Sequence, residues 1–135
     1  MPVADTELLF LLNPRDPRHK FALRIIEELR GRLYVPDTAI LEFEATLRSR
    51  GRDLSQIVKA FMGLKRIFID YSIKEIHTLN SDTILLHLDL MRQYNLSYFD
   101  SLIAASAMNI DNTIVSDDKV FDYIVGLKRI PITTD

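Results

Sequence analysis

Short apolar segments rich in β-branched residues alternate with longer ones whose apolar residues recur every three or four positions. A chain with that rhythm folds as strands joined by crossover helices, giving an α/β fold with a mostly parallel sheet covered by helices on both faces. The expected order begins with a strand at Val3–Ala4 and a helix over Thr6–Leu12, ended by Asn13-Pro14. Asp16-Pro17 offers an N-cap followed by proline at the first helical position. The helix it opens carries Phe21, Ala22, Ile25, Ile26 and Leu29 on one face and stops at Gly31. A strand at Leu33–Val35 leads into a helix opened by Pro36-Asp37 that ends near Gly51. Asp53 caps a further helix, in which Leu54, Ile57, Val58, Phe61 and Met62 form the stripe expected to be buried.

Farther along, Arg66–Tyr71 reads as an aromatic and β-branched strand, and Ser72-Ile-Lys-Glu75 as a capping box before another helix. Helices over Asp82–Tyr94 and Tyr98–Asn109, a strand at Thr113–Val115, a short helix over Lys119–Ile124 and an edge strand at Leu127–Pro131 complete the order. No linker or repeat divides the chain, so residues 1–135 are expected to form a single domain.

Within that frame four acidic residues fall where parallel strands end, which is where open α/β sheets bind ligands. Asp5 follows the first strand, and Asp118 lies a few residues beyond the strand Thr113–Val115. Glu42 is in the second turn of a helix that follows a strand, and Asp100 is in the first turn of its own helix. Asp5 and Asp118 also fit plain N-caps. Asp100 shares a helical stripe with Ala104, Ala107 and Met108, which is not a solvent face. Glu44 has Arg48 four residues on and needs only a surface ion pair to explain it. Glu42 aligns instead with Thr38, Ala45, Thr46 and Ser49, with no cation at helical spacing. Carboxylates in apolar segments are costly unless something pairs with them, and a hard divalent cation accounts for the set.

Composition removes several competing chemistries. The chain has no cysteine, which excludes disulfides, thiolate catalysis and cysteine-type zinc sites, and it fits a cytoplasmic protein. The three histidines lie on separate helices without metal spacing, and His87, in Ile-Leu-Leu-His-Leu, reads as a hydrogen-bonded, semi-buried side chain. No glycine-rich phosphate loop or nucleophile elbow occurs. The opening Met-Pro-Val-Ala-Asp does not read as a secretory signal, and no apolar run reaches the ~18 residues of a membrane span. Net charge is −2, so contact with nucleic acid must come from local basic clusters rather than from the whole surface. Arg15, Lys20, Arg48 and Lys119 are the candidates for a basic rim around the acids.

The ordered motifs resemble the PIN domain, in particular the single-domain VapC-like ribonucleases of toxin–antitoxin pairs. They are Asp5-Thr6 after the first strand, Pro36 followed by Glu42 on a helix, Tyr-Asn-Leu-Ser-Tyr-Phe-Asp-Ser-Leu-Ile-Ala-Ala around Asp100, and Ile-Val-Ser-Asp-Asp-Lys-Val-Phe near the end. The resemblance spans the chain, and its most specific segment is Tyr98-Phe-Asp100. It implies a PIN-like fold and Mg²⁺- or Mn²⁺-dependent hydrolysis of RNA. It also implies a small antitoxin partner and a homodimer. Asp5, Glu42 and Asp100 match the family's first three acids. The fourth falls on Asp118, from its spacing to Phe121, with Asp117 adjacent and able to share the metal. Ser116 matches a small hydroxyl residue often found there. Glu7 departs from the family, which commonly has serine or asparagine at that position.

Three other readings remain open at this point. Asp5-Thr6 with Asp117-Asp118 also suits a HAD-like phosphohydrolase, but Glu7 stands where that chemistry wants a second aspartate. A receiver-like phospho-acceptor would need an acidic pair after the first strand. A PIN fold serving only in RNA processing or as an RNA-binding scaffold is the third.

Overall fold

The computed structural model describes residues 1–134 as a five-stranded sheet with six α-helices and one 3₁₀ helix. In chain order these are β1 (Val3–Ala4), α1 (Thr6–Leu11), α2 (His19–Glu28), β2 (Tyr34–Pro36), α3 (Asp37–Ser49) and α4 (Leu54–Asp70). Then follow β3 (Lys74–Ile76), α5 (Ser81–Gln93), α6 (Tyr98–Met108), β4 (Thr113–Val115), the 3₁₀ helix Lys119–Tyr123 and β5 (Lys128–Ile130). Strand order is β3-β2-β1-β4-β5 and every pairing is parallel, with Val3 opposite both Tyr34 and Ile114. The chain builds outward from β1 to β3, then crosses back to add β4 on the other side of β1. With right-handed crossovers, that reversal distributes the helices over both faces. It also makes the β1/β4 seam the switch point of the sheet, where ligand crevices form.

The central strands are apolar because they are covered on both sides: Val3, Ala4, Val35, Ile114 and Val115 are fully buried. Helix α6 is as apolar as they are, with residues 101 to 107 all buried. Its first turn is capped by Ser97, which accepts from the Asp100 N–H at 3.2 Å. That cap fixes where Asp100 emerges.

Two expected elements are different. Arg66–Tyr71 is not a strand but the end of the 17-residue helix α4. Ile57, Leu64 and Phe68 are its buried stripe, so the helical period continues straight through the β-branched run. Ser72, with φ of +54°, then turns the chain, and Lys74–Ile76, expected to open a helix, is strand β3 paired to β2. The stripe expected on α4 is also rotated: Leu54, Val58 and Met62 are exposed, at 66%, 56% and 66%. Helix α2 begins at His19 rather than at Asp16-Pro17, because the Asp16 carboxylate accepts from Arg18 N in a local turn.

The start of α3 is tied to the β3–α5 loop by one carboxylate. Asp37 accepts from Thr38 N (3.0 Å), Thr78 N (3.0 Å), Thr78 Oγ1 (2.7 Å) and Leu79 N (3.2 Å). Burial opposes its charge, but these donors outweigh burial and hold its pKa below the ordinary aspartate value. Replacing Asp37 with alanine strands the Thr78 N–H, while the Thr78 hydroxyl keeps Ser106, and is expected to cost about 2 kcal/mol. Urea denaturation of the variant measures it, and a midpoint equal to that of the parent protein contradicts it.

Candidate metal centre

Asp5, Glu42, Asp100 and Asp118 line one cavity of about 250 Å³, together with Thr6, Glu7, Phe10, Thr46 and Arg50. The fold brings them there from four elements. Asp5 is the N-cap of α1, one residue past β1, and its own N–H is held to Val115 of β4 at 3.0 Å. Asp118 caps the 3₁₀ helix three residues past β4, with its Oδ1 accepting from Val120 N at 3.0 Å. Glu42 projects from the second turn of α3 and Asp100 from the first turn of α6. Capping and pocket-lining coincide at Asp5 and Asp118: a short strand followed at once by a helix places the cap residue at the sheet edge.

Ser116 links the first and last acids. Its hydroxyl donates to Asp5 Oδ2 at 2.7 Å and accepts from Asp118 N at 3.0 Å, while Thr6 N donates to Asp5 Oδ1 at 2.8 Å. Arg129 steadies the same turn, donating to the Ser116 carbonyl at 3.1 Å while pairing with Asp122 at 2.9 Å. Glu7 reaches in from α1, accepting from Asp117 N at 2.9 Å and from Arg18 at 3.3 Å.

The cavity is electrostatically unsatisfied. Asp5 is 5% exposed, and its pKa is pushed from 3.8 up to about 7. Burial is the main cause, partly offset by the Ser116 hydrogen bond and reinforced by Asp100, Glu42 and Glu7. Burial also raises Glu42, against the nearby Thr6 hydroxyl and with Asp100 adding to it. It raises Asp100 too, against the Ser97 hydrogen bond and with Asp118 adding repulsion. Thr6 Oγ1 is the buried side-chain polar atom without a hydrogen-bond partner among the described residues.

These residues fit a hard divalent cation: the donors are oxygens alone, three of the carboxylates repel one another, and a buried hydroxyl beside them lacks a partner. Among the described residues no three acidic or imidazole side chains close into a ready-made chelate. An open pocket of this kind suits Mg²⁺, which binds through one or two carboxylates and keeps several waters.

Asp117 is not brought to the pocket. Its carboxylate accepts from Ile132 N (2.8 Å), Thr133 N (2.9 Å) and Thr133 Oγ1 (2.6 Å), with Arg18 at 3.6 Å. Burial alone would raise its pKa, but these donors and Arg18 hold it below the ordinary value. Asp117 therefore fastens the C-terminal segment, and of the adjacent pair only Asp118 faces the cavity.

Of the four cations expected at the rim, none lines the pocket. Arg15 lines a neighbouring groove, Lys20 lies over Phe21, Arg48 pairs with Glu44 at 3.0 Å as its spacing predicts, and Lys119 lies outside. The cation that does line it is Arg50. The signal was present in the sequence, because Glu42, Thr46 and Arg50 are spaced four apart and share one face of α3. His87 is buried and hydrogen-bonded, its Nδ1 lying 2.8 Å from Ser101 Oγ.

Among the described residues no helix is long and apolar enough to cross a membrane. The PIN domain profile matches residues 3–127. No curated protein sequence matches the chain. Among solved structures, the chain is similar to VapBC2 from Rickettsia felis bound to a promoter DNA fragment, at 17% identity and TM-score 0.71, covering 96% of each chain. It is similar to Mycobacterium tuberculosis VapC20, a sarcin-ricin loop cleaving toxin, at 17% identity and TM-score 0.71, covering 95% of this chain and 99% of that one. It is also similar to FitAcB from Neisseria gonorrhoeae, at 14% identity and TM-score 0.71, covering 98% of each.

Proposed function

The chain belongs to the PIN domain family, and from that premise we propose that it is a Mg²⁺- or Mn²⁺-dependent ribonuclease, the toxin of a toxin–antitoxin pair acting in the cytoplasm. The observation that carries this reading is the convergence of Asp5, Glu42, Asp100 and Asp118 in one cavity, with burial and mutual repulsion raising the pKa of the first three.

Asp5, Asp100 and Asp118 hold the cation directly or through water. Bound there, the cation supplies charge neutralisation and Lewis-acid polarisation of a phosphodiester. Ser116 and Thr6 N fix both oxygens of Asp5, so that this carboxylate needs little reorganisation on loading. Glu42, half-buried and proton-attracting, orients the attacking water. Family membership displaces the phosphohydrolase alternative. The non-catalytic scaffold is distinguished by assay: the purified protein should cleave single-stranded RNA in Mg²⁺ and stop in EDTA. Soaked Mn²⁺ should give anomalous density among the four acids. A protein that binds RNA but never cleaves it, with or without cation, sinks the enzymatic reading.

The antitoxin part of the proposal is supported by an apolar groove of about 770 Å³ running between α1, α2, α3 and α4. Leu9, Leu23, Leu47, Ala60, Leu64 and Ile67 line it, and Phe10 borders both the groove and the acidic cavity. A small protein laying an apolar segment there would run up to the acids. Gly63 also lines the groove, and a Cβ at that position meets nothing within 4 Å. Gly63→Arg should therefore fold normally, retain RNA cleavage and weaken co-purification with the product of the adjacent reading frame at least tenfold. Unchanged co-purification argues against the groove as the seat.

A further inference from the structure

Arg50 is the one arginine that lines the acidic cavity, and it makes no ion pair among the described residues. Three other arginines are engaged elsewhere: Arg48 with Glu44, Arg18 with Glu7, Asp16 and Asp117, and Arg129 with Asp122. Arg50 is held by other means. Its N–H bonds to the Thr46 carbonyl at 3.0 Å as the C-cap of α3, and Gly51, at φ of +80°, turns the chain away immediately after. Its guanidinium lies 4.6 Å from the centre of the Phe10 ring. Phe10 is itself fixed, 4.7 Å from Phe43, which stacks edge-on against Phe61 at 5.4 Å. A cation at a cavity full of carboxylates that neutralises none of them is left free for an incoming anion.

Its place on α3 says which anion. Glu42, Thr46 and Arg50 all line the cavity from one face of the helix, so Arg50 stands two turns, roughly 12 Å of axial rise, from Glu42. A group bound at the acids and a second anion at Arg50 thus lie in one line along α3, as phosphates about two steps apart on a single strand do. Arg is suited to this, since its planar fork grips two phosphate oxygens at once. We propose that Arg50 is a substrate-binding residue that grips a phosphate of the same strand about two nucleotides from the scissile one, with Thr46 lining the path between them. This deepens the nuclease reading and rests on it.

The test separates binding from cleavage. Affinity for a fluorescent single-stranded oligoribonucleotide is measured as a function of salt in the Asp100→Asn protein, alone and combined with Arg50→Gln or Arg50→Lys. Cleavage is followed with Asp100 intact. Arg50 is exposed, and melting curves check that each variant folds. Arg50→Gln should weaken binding about tenfold and flatten the slope of log K against log salt by about 0.7, the loss of one single-strand phosphate contact. Arg50→Lys should keep the slope and lose part of the affinity. In cleavage, Arg50→Gln should raise KM with a smaller change in kcat. Equal affinity and slope with and without Arg50 overturns the proposal while leaving the nuclease reading intact, as does a KM that does not move. A protein that never cleaves RNA yet loses binding and slope on Arg50→Gln removes the nuclease reading and, with it, the proposal of a contact beside a scissile phosphate, leaving Arg50 as an RNA contact only. Absence of any oligoribonucleotide binding to the parent and variants overturns both.

Discussion

Replacing Asp100 with asparagine is expected to lower Mg²⁺-dependent RNA cleavage by about a thousandfold or more while leaving the protein folded. The substitution keeps the shape of the side chain and the backbone cap that Ser97 provides to residue 100, so α6 and its apolar packing are untouched. What disappears is a charge that repels both Asp5 and Glu42. In the absence of cation that loss relieves the cavity, and the melting temperature should stay level or rise. With cation present it removes a charged oxygen donor, and stabilisation of the transition-state charge goes with it. Opposite signs on stability and activity separate a functional carboxylate from a structural one. Cleavage by the variant at the parent rate would show that Asp100 takes no part in the chemistry.

The second large effect is on stability against pH. Asp5 in the folded protein has a pKa of about 7, against 3.8 for an ordinary aspartate. Between those values the folded protein holds a proton that the unfolded chain has released. Stability from this group is therefore fully present below pH 3.8 and is lost as pH rises through about 7. A shift of that size corresponds to about 4 kcal/mol as an upper bound. Asp37 and Asp117 are displaced the other way, so their contribution is present above pH 3.8 and lost below it, outside this window. In EDTA, the urea midpoint should thus fall between pH 4.5 and 8 as Asp5 ionises, with Glu42 and Asp100, also raised, adding to the fall and His87, which burial lowers from 6.5, opposing it. Mg²⁺ or Mn²⁺ should recover the loss at the alkaline end, and Asp5→Asn should flatten the slope and abolish the recovery. A metal-free profile that is flat or rising over that range contradicts the electrostatic account of the pocket.

The four acids were legible in the sequence because each sits at a fixed offset from a β-to-α or capping boundary, and such boundaries are written in short-range chemistry. Their meeting in one cavity depends on β4 inserting beside β1, a long-range fact that no local pattern carries. The adjacent pair could not be divided from sequence either: Asp117 turns toward Ile132 and Thr133, partners fifteen and sixteen residues away, and so leaves the pocket to Asp118. Helix α4 was misread at its end because Arg66–Tyr71 has strand-like composition, while its helical period is set by Leu64 and Phe68 facing the core. Arg50 stands between Arg48 and Arg52 in one basic stretch of the chain. Only the helix phase, which aligns it with Glu42 and Thr46, tells it from its neighbours.

One feature of the sheet bears on how such a protein is made. The cavity is closed by the seam between the earliest strand and the fourth, through the Asp5–Val115 and Asp5–Ser116 bonds, and two of its five carboxylates, Asp100 and Asp118, follow α5 in the chain. A ribosome must therefore release the chain through Asp118 before the pocket can exist, and a fragment truncated ahead of Thr113 carries Asp5 with no wall to set it against.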